Sequence, residues 1–137
     1  MDTSINKANE VLMNDEDPTM ALITLSDDID ETELASGNIA QLDETVKLAI
    51  DKQRKWLNST EEISQDQSSR NFTNAVLNLT NILLGNDNAF WGLDSILREE
   101  AVDSIQKNID ETLFLLAQNL IIGTIYRNEN VTNLGII

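Results

Sequence analysis

The sequence predicts an all-α fold, a multi-helix bundle of about four to five helices with a short C-terminal strand-like tail. Apolar residues recur at three- and four-residue spacing over several segments, the mark of helices with one buried face. Only five Gly and one Pro punctuate 137 residues, which favours long helices over a many-turned β sandwich. Apolar residues make up 41% of the chain, enough for one real core at this length.

Each element has its own signal. Residues 4–14 place Ile5, Ala8, Val11 and Leu12 on one side of a first helix. Asp17-Pro18 then reads as N-cap and first helical position, followed by Met20, Ala21, Ile23, Thr24 and Leu25. The acidic run over 27–33 ends that helix. From Asn38 the stripe Ile39, Leu42, Val46, Ala49 and Ile50 extends to Trp56 and Leu57, with Leu48 off the face. Asn38 is the expected N-cap, with Gln41 at the capping-box position. Residues 58–66 form a polar connection. The next helix opens near Ser64, carries Phe72, Ala75, Val76, Leu79, Ile82 and Leu83, and stops at Gly85 as a C′ residue.

A turn over 86–94 leads to the longest helix, 95–121. Its expected face is Ile96, Leu97, Ala101, Val102, Ile105, Ile109, Leu113, Phe114, Ala117, Leu120 and Ile121, and Gly123 ends it. Val131, Leu134, Ile136 and Ile137 lack helical order and read as strand. No internal repeat is visible. The expected division is a helical unit over 1–123 and, over 124–137, the first strand of a β half encoded further along.

Charge and composition exclude several function classes. Nine Lys and Arg face 24 Asp and Glu, for a net −15, and residues 1–50 alone carry −10. Such a surface repels nucleic acid and anionic bilayers. The absence of Cys and His removes disulfides, thiol chemistry and imidazole acid–base catalysis. No basic-then-apolar leader follows Met1, and the apolar stretches 113–117 and 120–122 are far too short to span a membrane. The chain is therefore expected neither to insert in a membrane nor to direct its own secretion, and, if extracellular, to be a segment of something longer.

Four Asn-X-Ser/Thr sequons mark glycosylation candidates at Asn58, Asn71, Asn78 and Asn130. Roughly two are expected from the Asn and Ser/Thr content alone, so position decides their meaning. Asn58 falls in the polar connection, and Asn78 sits about 100° from its apolar neighbour Leu79. The acidic run beginning at Asp28 fails as a calcium loop, because Glu33 stands where the sixth-position Gly belongs. It reads as a solvated loop, and no metal or cofactor is expected. Trp91 reads as a core anchor, whereas Trp56, near a helix end, stays open between core and surface. Glu111, close to Leu113 and Phe114, is the best-placed carboxylate for chemistry, yet a structural role fits it better.

Three stretches in order resemble a known family. They are NFTNAVLNLTNILL at 71–84, then Trp91, then IDETLFLLAQNL at 109–120. Together they look like the later helices of the GAIN domain of adhesion G-protein-coupled receptors, of latrophilin type. In the closing helix the family's pattern falls on Glu111, Phe114, Leu116, Ala117, Asn119 and Leu120. Residues 34–50 resemble the preceding family helix and residues 4–25 match loosely. The tail at 129–137 resembles the first strand of the family's β half.

The resemblance implies a helical subdomain A beside a β subdomain that holds an autoproteolytic site and tethered agonist. That site needs a His-Leu pair before Thr or Ser, absent here, so the chain itself is expected not to be an enzyme. The implied role is an extracellular scaffold fragment on the face of the plasma membrane. Its partners would be the β subdomain of the same receptor and an extracellular protein ligand. The competing expectation is an intracellular acidic helical-bundle adaptor or oligomerisation module.

Overall fold

The computed structural model describes residues 2–29, 34–59 and 62–127. They form six helices and no strand: α1 (Asp2–Met13), α2 (Pro18–Asp28), α3 (Ser36–Ser59), α4 (Glu62–Leu84), α5 (Asp87–Trp91) and α6 (Ser95–Arg127). The protein is thus an all-α multi-helix bundle, with the short α5 added to the expected count. Its most extensive interface joins α4 to α6, while α2 packs on α4 and α1 bridges α2 and α3.

The core gathers one stripe from each long element. Leu12, Leu22, Leu25, Ile39, Leu42, Ile50, Phe72, Val76, Leu79 and Leu83 are essentially without solvent contact. Burying a side chain of this size contributes about 1.5–3 kcal/mol before entropy is counted. On α3 the predicted stripe Ile39, Leu42, Val46, Ala49 and Ile50 is buried throughout, and Leu48 packs against the core edge.

Local chemistry sets the helix ends. α1 closes in a Schellman motif, with Asp15 N–H donating to Leu12 O (3.1 Å) and Glu16 N–H to Val11 O (3.3 Å). Asp15 occupies the left-handed position usually given to Gly, at φ 57°. Asp17 caps α2, its carboxylate accepting from Thr19 N–H at 3.0 Å, and Pro18 takes the first helical position as the sequence predicts. Asn38 is not the N-cap of α3. It sits at N3 and reaches back to accept from Ala35 N–H at 3.0 Å, the second half of a capping box without the first. Its Nδ2 then donates to Gln41 Oε1 at 2.9 Å.

Two further boundaries differ from the sequence reading, and a third falls where expected with another geometry. α3 runs through Asn58 to Ser59, so Asn58 lies on its last turn and not in a loop. Gly85 ends α4 without a left-handed φ: its N–H donates to Asn81 O at 2.9 Å, and Asn86 begins the next cap. α6 passes through Gly123 to Arg127, because a Gly inside a helix costs only about 1 kcal/mol relative to Ala. The strand expected within 124–137 therefore does not begin at 124, and its remainder from 128 lies outside the described residues.

Against the reading that no internal repeat is present, a short seven-residue repeat runs through α4, as Asn71-Phe-Thr-Asn-Ala-Val-Leu followed by Asn78-Leu-Thr-Asn-Ile-Leu-Leu. Seven residues fall about 20° short of two turns, so equivalent positions share a face. Phe72 with Leu79, Thr73 with Thr80 and Val76 with Leu83 point inward, while Asn71 with Asn78, Asn74 with Asn81 and Leu77 with Leu84 point outward.

Candidate functional site

The polar chemistry of the fold concentrates where α6 lies along α3. Four-residue spacing puts Asp43 and Lys47 on one face of α3, and Ser104 and Asn108 on one face of α6. Asp43, its side chain 8% exposed, accepts from Ser104 Oγ at 2.6 Å and Asn108 Nδ2 at 2.7 Å. Lys47 Nζ stands 3.4 Å from the same carboxylate and 3.4 Å from Glu44. Burial works to lower the Lys47 ammonium, but Asp43 and Glu44 outweigh it and hold its pKa above the ordinary value. Both oxygens of Asp43 are occupied by donors from α6, so this carboxylate fixes the register of two helices.

Further along the same seam Arg54 bridges α3 to α6. Its guanidinium reaches Asp51 at 3.1 Å and Glu111 at 2.9 Å. Glu111 is thus a surface carboxylate in an ion pair, and the structure gives it no apolar enclosure of the kind that makes a general acid.

Between α3 and α6 runs an open groove with two halves. At the start of α6 its walls are apolar, from Ile39 and Ala40 on α3 and Leu93, Leu97 and Ala101 opposite, around about 460 Å³. Farther on, Glu100, Asp103 and Lys107 line about 600 Å³ alongside Arg54 and its partners. Lys47, Glu100 and Ser104 border both halves, so the two are continuous.

Several sequence-predicted positions lie elsewhere than expected. Trp91 is not a core anchor but 69% exposed, with the Arg98 guanidinium stacked 4.3 Å from its ring centroid. Successive helical residues diverge by about 100°, and Phe90 takes the inward place in α5. Arg98 is held there by Phe90 O at 3.3 Å and Leu93 O at 3.0 Å, so it also closes the end of α5.

On α6 the expected stripe is rotated. Phe114 is 63% and Leu113 44% exposed, Ala117 is exposed, and Leu116 is half-buried. Ile96, Leu97 and Val102 are exposed as well. The buried seam is Ile105, Asn108, Thr112, Leu115 and Asn119, a run at three- and four-residue spacing that mixes polar with apolar. Its polar members are satisfied within the helix or across it. Thr112 Oγ1 donates to Asn108 O at 2.7 Å, and Asn119 Nδ2 to Leu115 O at 2.7 Å. Of the family-pattern positions, Asn119 is buried, and the side chain of Leu120 lies outside the described residues.

Asn71 and Asn78 stand two turns apart on the exposed face of α4. Their sequon partners Thr73 and Thr80 are buried on the inner side, Thr73 donating to Ser69 O at 2.7 Å. Asn71 Oδ1 accepts from Gln67 Nε2 at 2.9 Å, a bond within the solvent-exposed surface. The side chain of Asn58 and all of Asn130 lie outside the described residues.

Among the described residues no group of three or more acidic side chains is placed to hold a metal ion, and no helix is long and apolar enough to cross a membrane. Compared with protein-family models, curated proteins and solved structures, the chain gives no match.

Proposed function

We propose that this chain is a non-catalytic helical scaffold, subdomain A of a GAIN-type domain at the extracellular face of the plasma membrane. In this reading it supports an autoproteolytic β half of the same receptor. The observation that carries it is the outer side of α6. There the adjacent Leu113 and Phe114 are 44% and 63% exposed. A monomeric soluble domain rarely leaves large apolar side chains exposed together without a partner for them. Phe114 and Ala117 are also positions at which the chain resembles the family. Their outward placement suits a helix that forms the boundary with a neighbouring subdomain.

The exposed pair Asn71 and Asn78 supports the extracellular setting, because a glycan on either would face water without disturbing the core. Intact mass of the protein made through a secretory route, before and after treatment with an amide-cleaving glycosidase, tests this. Occupancy of Asn71 or Asn78, together with a downstream Cys-containing segment carrying His-Leu before Thr or Ser, is the expected result. An unmodified mass and no such downstream segment would leave the second reading, an intracellular acidic adaptor. That reading draws its support from the net −15 and the charge-lined groove.

A further inference from the structure

The groove between α3 and α6 lies on the flank of α6 opposite Leu113, since Ser104 and Leu113 are half a turn out of phase. It is therefore separate from Leu113, while Phe114, seven residues after Lys107 and about 20° from it around the helix, borders its far end. The wall from Leu97 to Lys107 keeps its chemistry whether or not a β half adjoins the chain. α3 and α6 run parallel here, because Asp43 meets Ser104 and the later Arg54 meets the later Glu111. From Leu97 to Glu111 the groove follows α6 for roughly 21 Å at 1.5 Å per residue, the length of a four-turn helix.

Its walls carry an ordered pattern. The apolar floor of Ala40, Leu93 and Leu97, with buried Ile39 beneath it, comes first. Glu100 and Asp103 follow, and Lys107 comes last. Arg54, Asp51 and Glu111 neutralise one another, and Lys47 is engaged by Asp43 and Glu44. Among the described residues, Glu100, Asp103 and Lys107 enter no ion pair. Trp91, exposed and stacked against Arg98, is carried on α5, which immediately precedes Leu93 and the apolar end. Aromatic residues held in this way are frequent anchors of protein interfaces.

From this juxtaposition we infer that the α3–α6 groove docks an amphipathic helical segment of another protein, with apolar anchors over Ala40 and Leu97 and Lys or Arg side chains against Glu100 and Asp103. Helices seated in grooves use this combination of apolar anchors at helical spacing and charges that set register. Other occupants fit less well. A second copy of this chain carries the same net −15 and meets electrostatic repulsion. The chain's own residues 128–137 (NENVTNLGII) contain no Lys or Arg to meet the two carboxylates.

The probe is a synthetic amphipathic helix of about 14 residues, with Leu at one end of its inner face and Lys at the middle. A second peptide carries Glu in place of those Lys. Each is titrated into the isotopically labelled full chain and followed by backbone amide shifts. The Lys peptide should perturb residues 36–47 and 97–107, with affinity falling as salt rises. E100K/D103K, on exposed positions, should weaken the Lys peptide by at least about tenfold and let the Glu peptide bind in its place. L97S should weaken both pairings. No binding of the Lys peptide, shifts centred on other helices, or equal affinity of the two peptides for either protein would overturn the inference. Unchanged amide shifts away from the groove in each variant confirm that folding is not the cause.

Discussion

Asp43 holds together groups from two helices, so its loss exposes the energetics of the α3–α6 seam directly. Asp43→Ala leaves buried Asn108 and half-buried Ser104 without their acceptor, while Lys47 keeps Glu44. An unsatisfied buried polar group costs about 1–3 kcal/mol, and denaturant unfolding should show a loss of that order. Asp15 makes a second prediction. The hydrogen bond from Lys52 at 2.8 Å, and the charge of the same ammonium, lower the Asp15 carboxyl below its ordinary value. A depressed folded-state pKa stabilises the fold above the unfolded-state pKa, and that contribution is lost as pH falls through the folded one. Carboxyl chemical shifts should show Asp15 titrating below the ordinary aspartate value, and Lys52→Met should raise it. At this scale the sequence was partly legible. Asp17-Pro18 has one physical use, at a helix start. Asn38 does not, because an amide can serve a helix from N-cap or from N3, and only the backbone shows which. Trp91 was misplaced because adjacent Phe90 and Trp91 could each have taken the inner position, and apolar size does not decide between them.

Helices α3 and α4 show which elements were readable. Each carries one clean apolar stripe, and the buried residues Ile39 to Ile50 and Phe72 to Leu83 follow the predicted spacing. α6 was recognised as a long helix but not in its facing. Leu113, Phe114, Leu115 and Leu116 are consecutive, and four residues at about 100° each visit every side of a helix. An apolar count therefore cannot choose the inner face. The choice falls to Asn108, Thr112 and Asn119, whose polar groups are satisfied by Asp43 or by the carbonyl four residues back. A stripe of hydrophobic residues passes over these positions without notice. The mixed character of the seam makes a contrast that is simple to measure. Leu115→Ala should cost about 2–5 kcal/mol, as truncation of a buried Leu does. Phe114→Ala, although it removes a larger side chain, should change stability by no more than about 0.5 kcal/mol. Equal losses would mean that α6 is seated in the rotation the apolar stripe first suggested.

For the molecule as a whole, the fold class followed from few breakers and repeated three- and four-residue spacing. Function left a weaker trace, because the chain lacks the residue types that make chemistry recognisable from a sequence. What remains is shape and surface: a bundle with a closed core, exposed Leu113 and Phe114 on the outer side of α6, and a charge-patterned groove on the flank opposite Leu113. The receptor reading assigns the outer side to a β half of the same protein. The absence of Cys from this chain makes that assignment testable by thiol chemistry, because Leu113→Cys introduces a single reactive group at an exposed position. The rate of thiol alkylation at residue 113 is to be measured in this chain alone and in the full-length product of its reading frame at the cell surface. The account predicts rapid labelling in the isolated chain and strong protection in the longer protein. Equal rates in both, or a full-length product with no further domain to cover α6, would contradict it.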